Sequence, residues 1–174
     1  MFKESPNPTT VAKLIEKTPA VLKTMLTELD DSLLSWKPAD GEWCIKEVIG
    51  HLIDMDTLAF ADRIQIILDN DTPDMASLDV DEIEAKREDF KRPLAELLLE
   101  FEQARETAVA FLMQLPPDQL QRTGVFPVER YFKASDFLYE WPYHDHDHLK
   151  QISDIIQASV WGQLSETMQR ALRR

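Results

Sequence analysis

The chain has few places to turn sharply. It carries four glycines in 174 residues, and an all-β fold needs many tight turns built on residues free to adopt positive φ. Its apolar residues recur instead at spacings of three and four, which gathers them on one side of a helix. Four long helices are predicted. The first covers residues 9–30, with Val11, Leu14, Ile15, Leu22, Leu26 and Leu29 on its inner side and Pro19 bending or interrupting it. The second covers residues 44–70 and is apolar around most of its circumference, the mark of a well-buried helix. The third covers residues 93–115, with Pro93 in its first turn and Pro116-Pro117 at its end. The fourth covers residues 135–159, with Ser135 as its N-cap, and a final amphipathic piece carries Trp161, Leu164, Met168 and Leu172.

Between the second and third helices lies an acidic connection with Pro73, followed by a charged stretch, residues 82–92, that reads as a solvated helix or an extended arm. Residues 124–132 read as a loop or a short extended stretch. There is no internal repeat. The expected architecture is all-α, a four-helix bundle forming one domain over residues 1–174, with a long crossover between helices 2 and 3.

The formal net charge is −13. A nucleic-acid partner calls for a basic face, and an anionic membrane does too; neither is expected here. No apolar run approaches the ~20 residues that span a bilayer, and residues 1–10 lack the apolar core of a signal peptide. The single cysteine, Cys44, has no internal disulfide partner, which fits a reducing, cytoplasmic setting. Its place at a helix start favours packing or capping over nucleophilic work.

The histidines carry the chemistry. There are four, and three of them, His144, His146 and His148, fall within five residues. At ~100° per residue, His144 and His148 share the apolar stripe of the fourth helix with Phe137, Trp141, Ile152 and Ile155, while His146 points the opposite way. An i, i+4 histidine pair is a common two-ligand device on helices. His51, amid the apolar residues of the second helix, is the remaining candidate for a third ligand. Three protein ligands plus one open position make a chemically usable metal site, and neutral imidazole suits zinc, nickel, copper, cobalt or iron. The same residues also read as core histidines of a purely structural bundle. Glu140, one turn before His144, reads as a surface acid, or as a group that orients a ligand or acts as a base. Asp54 has a similar double reading beside His51. Asp145 and Asp147 are expected to face solvent. Trp36, Trp43, Trp141 and Trp161 read as core anchors, with Trp141 placed to wall the site.

Two stretches resemble a known family. Gly41-Glu-Trp-Cys-Ile-Lys-Glu-Val-Ile-Gly-His51-Leu-Ile-Asp54 is similar to the second-helix signature of the DinB/YfiT-like superfamily, and His144-Asp-His-Asp-His148-Leu-Lys-Gln-Ile152 to its later H-x-x-x-H-L-x-Q-I motif. The Leu33-to-Pro38 segment and Phe101-x-x-x-Arg105 match its spacing, so the resemblance covers nearly the whole chain. Cys44 stands where that family usually has serine. The resemblance implies an up-down-down-up bundle and one divalent transition metal, zinc or nickel first, held by His51, His144 and His148. It also implies a homodimer acting on a small molecule. The chemistry would be that of a metal-dependent hydrolase or of a thiol S-transferase using a low-molecular-weight thiol. The alternative is a non-catalytic metal-binding or structural bundle.

Overall fold

The computed structural model describes residues 7–75, 86–128 and 130–172. In chain order its helices are α1 (Pro8–Ile15), α2 (Thr18–Leu26), α3 (Asp31–Leu34), α4 (Ile45–Leu58), α5 (Phe60–Asp69), α6 (Leu94–Leu112), α7 (Ala134–Trp161) and α8 (Glu166–Leu172). A two-stranded antiparallel hairpin, β1 (Thr123–Phe126) and β2 (Arg130–Lys133), precedes α7. None of these helices is long and apolar enough to cross a membrane.

Four expected helices therefore appear as interrupted rods. The first breaks at Glu16 and Lys17, and Pro19 falls in the first turn of α2, where its missing N–H costs nothing. The second was expected to run unbroken over residues 44–70, but breaks at Ala59 (φ −123°, ψ −74°). Near this break the Thr57 hydroxyl donates back to the carbonyl of Ile53 at 2.9 Å. The third helix starts after Pro93, which is its N-cap rather than a first-turn residue. The fourth is capped by Lys133, whose N–H donates to Asp136 at 2.7 Å; Ser135 lies inside the first turn and donates its N–H to Leu120. The stretch expected as a loop or extended piece closes into the hairpin, with Gly124 opposite Phe132.

The charged stretch after the connection is exposed at Lys86, Glu88, Phe90 and Lys91 and docks through Arg87 and Asp89. Residues 76–85 lie outside the described residues, but Asp89 is buried, and Arg87 ion-pairs with Asp54, Asp89 and Glu100. Gly50 makes this docking possible: a Cβ there would sit 1.8 Å from a carboxylate oxygen of Asp89.

Two buried apolar clusters hold the helices together. One gathers Val11, Ile15, Phe60, Ile64, Leu112, Phe137 and Trp141. The other gathers Leu22, Leu26, Ile45, Ile49, Leu52, Phe101, Ile152 and Ile155. On α6 the step from one cluster to the other falls between Phe101 and Ala108, and on α7 between Trp141 and Ile152. Arg105, His144, Asp145 and His148 occupy those steps, so the polar residues of the interior sit where the two cores meet.

Candidate metal centre

α4 brings His51 to the centre because nearly its whole circumference is covered; all but three of its 14 residues are buried. Its start is set by Cys44, whose N–H donates to Glu47 at 2.8 Å, so the cysteine caps and packs as expected. Burial, first of all, pushes its thiol above the ordinary range, away from thiolate chemistry. α7 brings the other two histidines one turn apart.

The three rings converge. The Nε2 atoms of His51 and His144 are 3.0 Å apart, and those of His144 and His148 are 3.1 Å apart. One ligand nitrogen from each of the three falls within 4.8 Å of the others. His51 is buried, and His144 and His148 are half-buried. His146 is exposed on the far side, its ring bonded to the Pro142 carbonyl, as the helical phase predicts.

The electrostatics disfavour charge on the two α7 rings. Burial, then the neighbouring imidazoles and Arg105, push His144 down to about 3. Burial also lowers His148. The tautomer of His148 is fixed from outside: its Nδ1 lies 2.7 Å from Oε1 of Gln151, an acceptor, so Nδ1 carries the proton and Nε2 turns its lone pair to the centre. Nδ1 of His144 is buried with no hydrogen-bond partner among the described residues.

The walls are not those expected. Trp43, read as a core anchor, stands over the site, 4.9 Å from the His51 ring and stacked 6.1 Å from His148. Trp141, expected to wall the site, is instead fully buried, donating to Asp56 at 2.7 Å and stacking on Phe60. Phe60 presents its face to the edge of His144, 5.3 Å away. Trp36, read as a core anchor, is 37% exposed. A cleft of about 560 Å³ opens beside the histidines, lined by Glu42, Trp43, Asp147, His148, Gln151 and Ile155 among others.

The candidate acids separate. Asp147 is exposed as expected, but Asp145 is buried, because Arg105 and Thr18 bond its carboxylate in the interior. Asp54 does not hydrogen-bond His51; one oxygen pairs with Arg87 at 2.9 Å and the other is buried without a partner. Burial raises its pKa despite Arg87. Glu140 borders a different cavity, with Arg63 and the hairpin. Gln151 and Trp43 were missed as site residues. Their signals were present: an amide three residues after His148, and a tryptophan eight residues before His51.

Known proteins resemble this chain over most of its length. The sequence profile of the DinB superfamily matches residues 14–152. The chain belongs to that superfamily. It is 24% identical over 147 residues to a "putative metal-dependent hydrolase" of Oceanobacillus iheyensis, covering 84% of each chain. It is 24% identical over 153 residues to the protein of the same description named YfiT in Bacillus subtilis, covering 86% of this chain and 84% of that one. The solved structure of B. subtilis YfiT, described as having an unusual four-helix bundle topology, superimposes with a TM-score of 0.77 at 22% identity, over 90% of this chain and 89% of that one. The bundle fold of this DinB-superfamily member is shared with YfiT.

Proposed function

We propose that this protein is a metal-dependent hydrolase of a small molecule, with His51, His144 and His148 holding one divalent zinc or nickel ion. The observation that carries the reading is the convergence of one ring nitrogen from each of three histidines. A tetrahedral ion with ~2.1 Å bonds to nitrogen separates its ligand atoms by ~3.4 Å, close to the 3.0 and 3.1 Å seen here. Two lone pairs facing one another at these distances are unfavourable unless a proton or a cation lies between them. The depressed pKa values of His144 and His148 disfavour a charged imidazolium, so the gap is filled by a cation or by the N–H of a neutral ring.

A divalent ion in such a site supplies Lewis acidity and brings water toward ionisation at neutral pH. The chain supplies the rest. Gln151 holds His148 in the ligating tautomer, and Trp43 forms an aromatic wall where a substrate enters from the cleft. Asp54 stays tied to Arg87 and Glu140 faces another cavity, so neither serves as the base in this reading. The ligand group has three members among the described residues, which leaves a position for substrate and favours an enzyme over a closed, structural metal site. Thiol transfer is the weaker version. Glu42 and Asp147 line the cleft without an ion-pair partner among the described residues, and would repel a carboxylate-rich thiol. A cytoplasmic setting and a homodimer go with the proposal, the latter measurable by sedimentation.

The test is metal content of the untagged protein by plasma mass spectrometry. About one transition metal per chain is expected, lost in His148→Ala and retained in His146→Ala. Equal loss in both variants, or no metal after incubation with zinc or nickel, overturns the reading.

A further inference from the structure

A second cavity, of about 650 Å³, lies between the hairpin, α5 and α7. Its volume is within the ~300–1,000 Å³ typical of small-molecule sites. Its floor is aromatic. Phe126, Phe132 and Phe137 pack against one another with ring centroids 5.2, 5.5 and 5.9 Å apart. Arg63 lies across this floor, its guanidinium carbon 5.7 Å from the centre of Phe126 and 5.6 Å from that of Phe137.

The two charges that matter face each other and do not meet. Arg63 comes from α5 and Glu140 from α7. Each feels the other's field, yet neither makes a hydrogen bond or an ion pair with any described residue. Asp136, also on the wall, is engaged by the N–H of Lys133 at 2.7 Å. Arg130 has its Nε on the Pro127 carbonyl at 3.2 Å. Arg63 and Glu140 are thus the uncommitted pair. A partly desolvated guanidinium seeks a carboxylate, which it binds through two parallel hydrogen bonds. Glu140, exposed at the edge of the same cavity, does not make that bond. Burial, first of all, lowers the pKa of Arg63, and desolvation raises that of Glu140. Both shifts are in the direction that a ligand carrying the complementary charges would relieve.

We propose that this cavity is a second binding site, for a small aromatic amino acid. The ligand carboxylate pairs with Arg63, its ammonium pairs with Glu140, and its ring lies on the phenylalanine floor. The pairing explains why opposite charges are held apart over an aromatic surface, which no part of the histidine centre requires. It also gives Glu140 a use that its place one turn before His144 does not.

The test is titration of the full chain with L-phenylalanine, 3-phenylpropionate (no ammonium) and phenethylamine (no carboxylate), followed by calorimetry and amide chemical shifts. Phenylalanine is expected to bind most tightly, with shifts centred on Phe126, Phe132 and Phe137. Arg63→Met should weaken it about tenfold or more, the size of a lost charged hydrogen bond. Glu140→Gln should weaken phenylalanine while sparing 3-phenylpropionate. Arg63→Lys serves as a folded control that keeps the charge and loses the fork, and should bind weakly. His148→Ala should bind phenylalanine as the wild type does. No binding of any of the three ligands, unchanged binding in Arg63→Met, or loss of binding in His148→Ala would overturn the inference.

Discussion

Two polar groups share the interior of this protein, and they are built on neighbouring residues. His144 belongs to one, and Asp145, the next residue, to the other. In the second group every strong donor has an acceptor. Arg105 donates from Nε to Asp56 at 2.7 Å, from Nη2 to Asp145 at 2.9 Å, and from Nη1 to the carbonyl of Ile15 at 2.7 Å. Trp141 adds a bond to Asp56 and Thr18 one to Asp145, so α1, α2, α4, α6 and α7 meet on one guanidinium. In the first group, three ring nitrogens face one another, and Nδ1 of His144 finds no partner among the described residues. A buried polar cluster that serves the fold closes on itself, because an unmade bond there is costly. A cluster left open at the same depth reads as a place for something that is not part of the chain.

The largest way to break this comparison is Arg105→Met. It strands Asp56 and Asp145 as unpaired buried carboxylates, and the expected loss is about 3–5 kcal/mol in urea unfolding. Ala substitution of His148 should cost far less stability in the metal-free protein, since that group closes no bonds of comparable strength. If the two variants unfold at the same urea concentration, the division into a closed and an open cluster is wrong. A smaller effect separates them from the other side. Gln151→Ala removes the acceptor that orients His148, and metal affinity should fall about 10–100-fold with unfolding of the metal-free protein little changed. Competition against a chromophoric chelator reads it; an unchanged affinity would mean that His148 is oriented by packing against Trp43 alone.

The sequence carried the bundle and the three histidines because both are periodic signals. Apolar spacing along residues 9–30, 44–70, 93–115 and 135–159 marked the helices, and the phase of α7 separated His144 and His148 from His146. What it did not carry were features set by contacts distant in the chain. Asp145 looks like a surface acid between histidines, and is buried only because Arg105, 40 residues away, reaches it. Trp141 is the core anchor expected, stacked on Phe60, but it is Trp43 that walls the site, through contacts to His51 and His148 on two different helices. The close seat of Asp89 on Gly50 joins residues far apart in sequence, and no local pattern announces it.

Acid titration tests the neutral state of His144. His144 is held at about 3 in the folded chain, against an ordinary 6.5. The unfolded chain takes up this proton below pH 6.5 and the folded chain does not. The metal-free protein should therefore be insensitive to this group above pH 6.5 and lose stability through it as the pH falls from there toward 3. The slope approaches ~1.4 kcal/mol per pH unit for one proton. His148 acts in the same direction. Glu47 and Glu100, whose carboxyls are lowered in the fold, also lose stabilisation in acid, but only as their own range below about 4.5 is reached. Asp56, pushed up to about 6 by burial, and the raised carboxyls of Asp54 and Glu140 work the other way, taking up protons in the fold before they do in the unfolded chain, so the contribution of His144 is read from a variant and not from the net slope. Between pH 6.5 and 4.5, His144→Ala should lose less stability than the wild type, or gain more, as the pH falls, measured by urea unfolding at each pH. If the two curves run parallel there, His144 is already protonated or solvated in the fold, and its lone pair is not held ready for an ion.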